Sequence, residues 1–343
     1  MRILIETHHP ANILFFKYPA RIWKEHGHEV LVAGRDRNVM VPLLEAFDWM
    51  PHEILTRAGK NNLLPFSEFI SRQIKMFRLI RRFRPDVVVS LEGSYCQTAF
   101  FCRVPNIIFS DTEHLGLSHL IAYPFAQRIY VPSCFWKNAG KKQMRYNGNH
   151  QLSFLNPKYF QPDPTVLDEL GVSESGYVLI RLSSWNTYHD IGKQGMGDSL
   201  KRLIKMVGDR FPFFIIPEEG LPEEYERYRL KVAPHRFHDV LAFARMVISE
   251  GGSTASEAAC LGIPTVYVNP HQVGYVKEQE ERFGLVYSYR EPEPAFERIE
   301  ALLNEGGLKE KYAAKRKRFL DDKINVTDYV VQEIEKIGKA AVS

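Results

Sequence analysis

Short apolar runs of strand length alternate with amphipathic segments of helix length along almost the whole chain. The clearest runs are RILIET (2–7), EVLVAG (29–34) and VVVSL (87–91), and each is followed by polar residues. Strands that alternate with helices predict parallel sheets with right-handed crossovers, because a tight turn cannot join two parallel strands. The chain is therefore expected to be an α/β protein.

The 343 residues are too many for one typical hydrophobic core, so two domains are expected. The pattern restarts after a Pro- and Gly-containing linker at 147–176, which predicts domains at 1–150 and 165–322. A helix within 323–343 is expected to cross back to the first domain. Further strands are predicted at 106–111, 128–133, 177–182, 213–217, 230–234, 246–250 and 265–269, and helices at 13–28, 66–83, 94–103, 197–209, 238–244, 253–262, 292–304 and 326–339.

Composition excludes several classes of protein. No apolar run approaches the roughly 20 residues of a transmembrane helix, and no signal peptide is read at the start. The four cysteines lack metal-ligand spacing and are expected to be buried thiols of a cytoplasmic protein. Net charge is +8 over 1–150 and −4 over 151–343. This imbalance favours an anionic or membrane-surface partner for the first half, but not a nucleic acid.

The most informative segment is SEGGSTASE (249–257), followed by LGIP (261–264). Gly251 and Gly252 would let a ligand approach the backbone. Ser253 and Thr254 would begin a helix whose N–H groups and dipole favour phosphate. Glu257 would follow one turn later on the same face. The alternative interpretation is a simple strand–turn–helix cap.

This segment resembles the nucleotide-sugar site of GT-B fold enzymes, such as UDP-N-acetylglucosamine 2-epimerase and the UDP-N-acetylglucosamine transferase of peptidoglycan synthesis. Four other segments resemble an uncharacterised archaeal and bacterial family classed with the glycosyltransferases. They are ETHHPANILFFK (6–17), SDTEH (110–114), YNGNHQLSFLNPKYFQPD (146–163) and IRLSSWNTYHDIG (180–192). The resemblance implies two Rossmann-like parallel-sheet domains that face a cleft.

The resemblance also implies that the second domain binds the nucleotide sugar and the first binds the acceptor. The diphosphate would lie at Gly251, Gly252, Ser253 and Thr254, and the base beside His235 and His238. Arg181, Ser183, Ser184 and Trp185 would face the cleft from a strand end, where Arg181 could neutralise phosphate. Glu257 is expected to accept hydrogen bonds from the ribose.

Glycosyl transfer with inversion needs a base for the acceptor hydroxyl. Polar residues at three strand ends of the first domain supply the candidates. Glu113, Asp111, His9 and Glu92 are predicted as catalytic, and His8 and His114 lie in the same loops. For each one a structural role is the alternative. No metal site and no cofactor is expected, because the chain has no clustered Cys/His ligands and no Asp-x-Asp triplet at a strand end.

The stretch 66–84 is basic and amphipathic. An ordinary packed helix with a solvated basic face is the favoured interpretation, and contact with anionic lipid at the inner face of the membrane is the alternative.

The sequence thus predicts a cytoplasmic, metal-independent transferase that uses a UDP-sugar and a glycan or lipid-linked acceptor, in cell-surface polysaccharide or glycolipid synthesis. The alternatives are a UDP-sugar 2-epimerase or hydrolase, and a nucleotide-sugar-binding protein without catalysis.

Overall fold

The computed structural model describes residues 1–37, 39–57, 65–114, 116–183, 199–218 and 220–342. The chain divides into two compact units. Unit 1 contains Met1–Tyr159 and Ile324–Ser343, and unit 2 contains Phe160–Lys323. The end of the chain therefore belongs to the same unit as its beginning.

Unit 1 is built on a seven-stranded sheet in the order β3-β2-β1-β4-β5-β6-β7, with all neighbours parallel. Its strands are β1 (Arg2–Glu6), β2 (Glu29–Asp36), β3 (His52–Arg57), β4 (Val87–Leu91), β5 (Asn106–Phe109), β6 (Arg128–Pro132) and β7 (Gln143–Tyr146). The central strands β1, β4 and β5 are buried almost throughout. Strands buried on both faces read as continuous apolar runs, which explains the sequence pattern.

Helices connect these strands. They are α1 (Pro10–Glu25), α2 (Met40–Ala46), α3 (Pro65–Phe83), α4 (Cys96–Phe101), α5 (Gly116–Ala122) and α6 (Leu152–Leu155), with short 3₁₀ turns at Tyr123–Phe125 and Gly140–Lys142. Helix α1 begins directly after the first strand end. His9 is its N-cap, Pro10 occupies its first turn, and the Asn12 side chain accepts a hydrogen bond from the backbone of His9. This capping fixes the path of the loop between β1 and α1.

Unit 2 is built on a five-stranded parallel sheet in the order β12-β11-β10-β8-β9. Its strands are β8 (Val178–Leu182), β9 (Phe213–Pro217), β10 (Met246–Ser249), β11 (Thr265–Val268) and β12 (Val286–Tyr289). Its helices are α7 (Thr165–Leu170), α8 (Ser199–Gly208), α9 (Phe237–Ala242), α10 (Gly252–Leu261), α11 (Gly274–Glu281), α12 (Pro292–Asn304) and α13 (Leu308–Asp322), with 3₁₀ turns at Glu223–Tyr228 and Pro234–Arg236.

The last helix, α14 (Val326–Val342), packs on α1 and α6 of unit 1. It buries Val326, Val330 and Ile334 completely. No helix among the described residues is long and apolar enough to cross a membrane.

The predicted elements need two corrections, one for a strand that is absent and one for elements that were missed. The strand predicted at 230–234 does not form, because there the chain makes only an isolated bridge from Arg229 to Ile215 and then a 3₁₀ turn. The prediction also missed β3, β7, β12 and several helices. Of these, α13 is the longest, and it buries only Leu308, Tyr312 and Phe319 among many charged side chains.

Candidate functional site

The carboxyl ends of β8 and β10 bring Arg181 beside the glycine loop of unit 2. The two strands are neighbours, with Arg181 in register with Ser249. The Arg181 guanidinium donates to the carbonyl of Ile216 over 3.1 Å and lies 3.8 Å from the Glu218 carboxylate. Burial lowers the pKa of Arg181, and nearby carboxylates oppose that shift. The guanidinium is thus a largely desolvated positive charge at the sheet edge where ligands of open α/β sheets bind.

Gly251 and Gly252 form the start of α10. Gly251 is the N-cap with extended backbone angles, and no side chain caps the helix. A Cβ on Gly252 would come within 3.2 Å of both Tyr275 Oη and Val273 Cγ2, so a larger residue there would need these side chains to shift by a few tenths of an ångström. The first N–H groups of an α-helix have no acceptor within the helix. Ser253 is exposed and Thr254 is buried, so the first turn offers backbone donors and one accessible hydroxyl.

Glu250 lies in the loop between β10 and α10 and is almost fully buried. Its carboxylate accepts a hydrogen bond from the backbone N–H of Ser183 over 2.7 Å, and its carbonyl accepts one from Asn269 Nδ2 over 2.7 Å. Through these two hydrogen bonds, Glu250 connects the loop after β8 with the loop after β11. A cavity of about 140 Å³ adjoins this point, lined in part by Asn269, Val273 and Tyr267.

Glu257 and His238 are both buried, with His238 Nε2 3.6 Å from Glu257 Oε2. The rings of Phe160 and Phe237 flank the imidazole. His235 is exposed in the 3₁₀ turn just before α9. The structure thus brings His238 and Glu257 together and leaves His235 at the surface. Ser184 and Trp185, which were also predicted to bind substrate, lie outside the described residues.

Glu92 occupies the loop after β4 of unit 1 in a left-handed backbone conformation, with φ of 63°. This conformation is unfavourable for a residue other than glycine, and such residues cluster at functional sites. The carboxylate accepts a hydrogen bond from Ser110 Oγ over 2.9 Å and lies 3.1 Å from His119 Nε2. Several partners therefore hold this carboxylate in one position.

Tyr123 lies among the side chains that surround the predicted carboxylates. Its hydroxyl donates to Ser110 Oγ over 3.1 Å, and its ring stacks on that of His119 with the ring centres 4.4 Å apart. Burial raises the pKa of Tyr123, and the charges of Glu92, Asp111 and Glu113 raise it further. The Tyr123 phenol thus lies within electrostatic reach of three carboxylates, of which Glu113 is completely buried.

The Asp111 carboxylate lies beside a buried histidine. Its Oδ2 lies 3.3 Å from Nδ1 of His150, which is buried beside the Phe15 ring. Burial lowers the pKa of His150, and the negative charges of Asp111 and Glu92 oppose that shift. The folded protein therefore favours a neutral imidazole at this position.

The loop after β1 contains two histidines with different surroundings. His9 is exposed and caps α1 by accepting a hydrogen bond from the Ala11 N–H over 3.3 Å. His8 lies with Nδ1 3.0 Å from the buried Glu6 carboxylate and 3.1 Å from Ser94 Oγ. His9 thus has a structural role in this structure, whereas His8 contacts the polar cluster at the strand ends.

Four residues of these clusters were not among the predicted site residues: His119, Tyr123, His150 and Glu250. Only two of the four lie in segments that the sequence pattern singled out. His150 lies within a segment that carries the family resemblance, and Glu250 belongs to the glycine motif. Among the described residues, one group could supply three metal ligands, namely His26, His28 and Glu335. It lies in unit 1 and includes none of the predicted site residues.

The model of a family described as "Protein of unknown function (DUF354)" matches residues 1–288. An uncharacterized protein of Methanocaldococcus jannaschii is 22% identical, with 79% of this chain and 82% of the relative covered. The UDP-N-acetylglucosamine–N-acetylmuramyl-(pentapeptide) pyrophosphoryl-undecaprenol N-acetylglucosamine transferase of Halothermothrix orenii is 23% identical, with 87% and 89% covered.

Several solved structures are similar over their whole length. A complex of S. aureus MnaA with UDP has a TM-score of 0.68 at 13% identity, covering 97% of this chain and 96% of that one. The UDP-GlcNAc 2-epimerase of Neisseria meningitidis bound to UDP-GlcNAc gives 0.63 at 12% identity, covering 98% and 100%. The spinosyn forosaminyltransferase SpnP gives 0.64 at 13% identity, covering 99% of each chain. These matches and the two parallel sheets show the GT-B fold, as the sequence predicted.

Proposed function

The chain belongs to the DUF354 family. From the geometry of its strand ends, and from similar proteins whose names include a UDP-sugar, we propose that it is a glycosyltransferase with a UDP-sugar donor. The donor binds at the carboxyl ends of the unit 2 strands without a metal ion. The acceptor is a glycan or lipid-linked glycan of cell-surface polysaccharide or glycolipid synthesis. Relatives with the same fold include a transferase and an epimerase that bind or use UDP-N-acetylglucosamine.

One observation carries the donor assignment. Arg181 and the start of α10 lie at the ends of two neighbouring strands, and a Cβ built on Gly251 would lie 3.8 Å from Arg181 Cγ. Backbone N–H groups at a helix start and a guanidinium are both suited to a diphosphate. Together they could stabilise the charge that develops on the departing nucleotide.

The carboxylates of unit 1 supply the acid–base group. Glu92 is held by Ser110 and His119, and Asp111 lies beside His150. Glu113 is completely buried, and its charge acts on the same Tyr123 phenol as those of Glu92 and Asp111. In this proposal one of these groups deprotonates the acceptor hydroxyl, and Glu113 is the first choice.

Epimerisation or hydrolysis of a UDP-sugar is the second candidate. The same carboxylates favour it, because that chemistry needs several acid–base groups around one sugar. The structural likeness to the N. meningitidis epimerase also supports it. A nucleotide-sugar-binding protein without catalysis is the third candidate.

One incubation separates the three functions. Purified protein is mixed with UDP-N-acetylglucosamine, first alone and then with an extract of glycans and glycolipids as acceptors. A transferase releases UDP only after acceptors are added. An epimerase or hydrolase gives product or UDP in the first step, and a binding protein gives neither. Product without acceptor would therefore contradict the proposed function.

Donor binding is tested separately by calorimetry with UDP. Arg181→Gln removes the desolvated charge and should weaken UDP binding at least tenfold. Arg210→Gln is the matched control, because Arg210 is a unit 2 arginine paired with Glu300 on the surface. Equal UDP affinity in the two variants would contradict the assignment of Arg181.

We further propose that unit 1 contacts anionic lipid, and an apolar surface on three neighbouring helices supports this. Large exposed apolar side chains lie on all three: Ile70, Ile74 and Phe77 on α3, Phe100 and Phe101 on α4, and Leu120 and Ile121 on α5. Helices α3 and α4 pack together, and Gln97 of α4 donates to the Ile121 carbonyl of α5. The exposed Arg78, Arg81 and Arg82 lie on α3 as well. Apolar contact with basic residues nearby is typical of peripheral membrane binding.

Vesicle sedimentation tests this contact. The protein should sediment with vesicles that contain a phosphatidylglycerol fraction more than with pure phosphatidylcholine. Phe77→Asp should abolish the difference. Val39→Asp is the control, because Val39 is an exposed apolar residue of unit 1 outside these three helices. Unchanged sedimentation of the Phe77 variant would contradict the proposal.

A further inference from the structure

A turn and a distant helix of unit 1 bring together two imidazoles and one carboxylate. His26 and His28 lie on either side of Gly27 between α1 and β2, and Glu335 lies on α14. Glu335 Oε1 is 2.7 Å from His26 Nδ1 and 3.2 Å from His28 Nε2. All three ligand atoms lie within 4.8 Å of one another.

Backbone hydrogen bonds hold the turn that carries both histidines. The His26 N–H donates to the carbonyl of Ile22 and the His28 N–H to that of Trp23, each over 2.9 Å. Gly27 has φ of 80°, a conformation that favours glycine in this tight turn. The two rings are nearly perpendicular, with an angle of 83° between their planes. The imidazoles therefore approach Glu335 from two different directions.

Two of the separations can be compared with those in a metal site. Tetrahedral zinc with bonds of about 2.0–2.1 Å places neighbouring ligand atoms about 3.3 Å apart. The 3.2 Å from Glu335 Oε1 to His28 Nε2 is close to that value, whereas the 2.7 Å to His26 Nδ1 is a hydrogen-bond length that would increase on metal binding. The side chain of His26 is half exposed, whereas those of His28 and Glu335 are mostly buried. A metal held here would thus keep one side open to solvent.

We propose that His26, His28 and Glu335 bind a divalent transition-metal ion of the zinc class. Imidazole nitrogens combined with a carboxylate favour zinc, cobalt, nickel and copper over magnesium and calcium. The ion would join α14 to the turn after α1, so that binding stabilises the folded protein. This site is independent of the proposed transferase activity, because it needs neither nucleotide nor acceptor.

The competing explanation is that the histidines and Glu335 only form hydrogen bonds to each other. Titration of the untagged, metal-free full chain with Zn²⁺ against a chromogenic chelator distinguishes the two. The wild type should bind one Zn²⁺ and melt at a higher temperature with Zn²⁺ present. His28→Gln and Glu335→Gln should each weaken Zn²⁺ binding at least tenfold and lose the melting shift.

Three further measurements complete the test. His52→Gln is the control, because His52 lies in the same unit on β3 and contacts only the Met50 carbonyl among the contacts described. It should retain wild-type Zn²⁺ affinity. His26→Gln alters an exposed side chain and is used if the His28 variant does not fold. Co²⁺ should give visible absorption bands of a low-symmetry site in the wild type. Equal Zn²⁺ affinity in the wild type and in the folded variants of His26, His28 and Glu335 would overturn the proposal.

Discussion

His119 lies 27 residues after Glu92 in the chain, yet its Nε2 atom is 3.1 Å from the Glu92 carboxylate. The carboxylate also accepts a hydrogen bond from Ser110, and its own backbone is in a left-handed conformation. A carboxylate that is held this firmly in an unfavourable backbone conformation is a strong candidate for function.

Glu92→Gln should lower turnover by about 10²-fold, the usual scale for an acid–base group. Glutamine keeps the shape and can still accept from Ser110, but it removes the charge. UDP affinity should not change, because unit 2 is untouched. Glu53→Gln serves as the control, since Glu53 is an exposed carboxylate of the same unit that pairs with Arg82. Wild-type turnover in the Glu92 variant would remove this residue from the mechanism.

Glu113→Gln should also reduce turnover by about 10²-fold or more, while UDP affinity and melting temperature stay nearly unchanged. The reason is that Glu113 is fully buried after β5 and its charge acts on the Tyr123 phenol, as do the charges of Glu92 and Asp111. The measurement is steady-state kinetics once an acceptor is known, together with a melting curve. A large fall in melting temperature would indicate a structural role instead.

Glu257→Gln should weaken UDP binding by about 1.5–3 kcal/mol, the range for hydrogen bonds to charged groups. Glu257 lies one helical turn beyond the start of α10, where a ribose would follow a diphosphate held at the helix start. The 2′,3′-dideoxy analogue of UDP should bind the variant and the wild type almost equally. Since Glu257 also lies 3.6 Å from His238, an equal loss with both ligands would mean that the effect is structural.

His150 should make stability depend on pH below about 6.5. Burial lowers the pKa of the His150 imidazole below its ordinary value of 6.5, so just below pH 6.5 the unfolded chain binds a proton that the folded protein does not. Stability should therefore be complete above pH 6.5 and fall as the solution is acidified, by at most about 1.4 kcal/mol per pH unit from this group. Urea unfolding of the wild type and His150→Asn at pH 7.5, 6.5 and 5.5 measures it. A constant difference between the two proteins would contradict the prediction.

UDP affinity should be the same with and without an excess of chelator. The proposed donor site uses backbone N–H groups and Arg181 instead of a metal ion. The zinc-class ligands lie in unit 1, so removal of a metal there should lower the melting temperature without changing UDP binding. Calorimetry in the two conditions checks this, and a tenfold loss of affinity would show that the donor needs a metal.

The sequence predicted the central strands because each is buried on both faces and reads as an unbroken apolar run, as VVVSL of β4 does. Of the four edge strands, the sequence predicted β9 but missed β3, β7 and β12. In β7 three of four residues are partly or fully exposed, so the strand has no apolar run to detect. Residues 230–234 contain apolar side chains, but they do not form a strand, since only Arg229 bridges to β9.

The candidate site shows a similar division. Residues that follow directly after a strand, such as Glu92 and Asp111, could be selected because parallel strands end at one edge of a sheet. Their partners could not. His119 and His150 contact these carboxylates from 27 and 39 residues further along the chain, and that proximity arises from tertiary packing rather than local pattern.

The assignment of α14 to unit 1 also has a consequence for biosynthesis. The ribosome completes all of unit 2, Phe160–Lys323, before it makes the last helix of unit 1. Until that helix is made, the surfaces of α1 and α6 that it covers stay exposed. Val326, Val330 and Ile334 bury those surfaces once α14 packs. A chain that stopped at Lys323 would thus contain all of unit 2 and an incomplete unit 1, a substrate for cellular proteases.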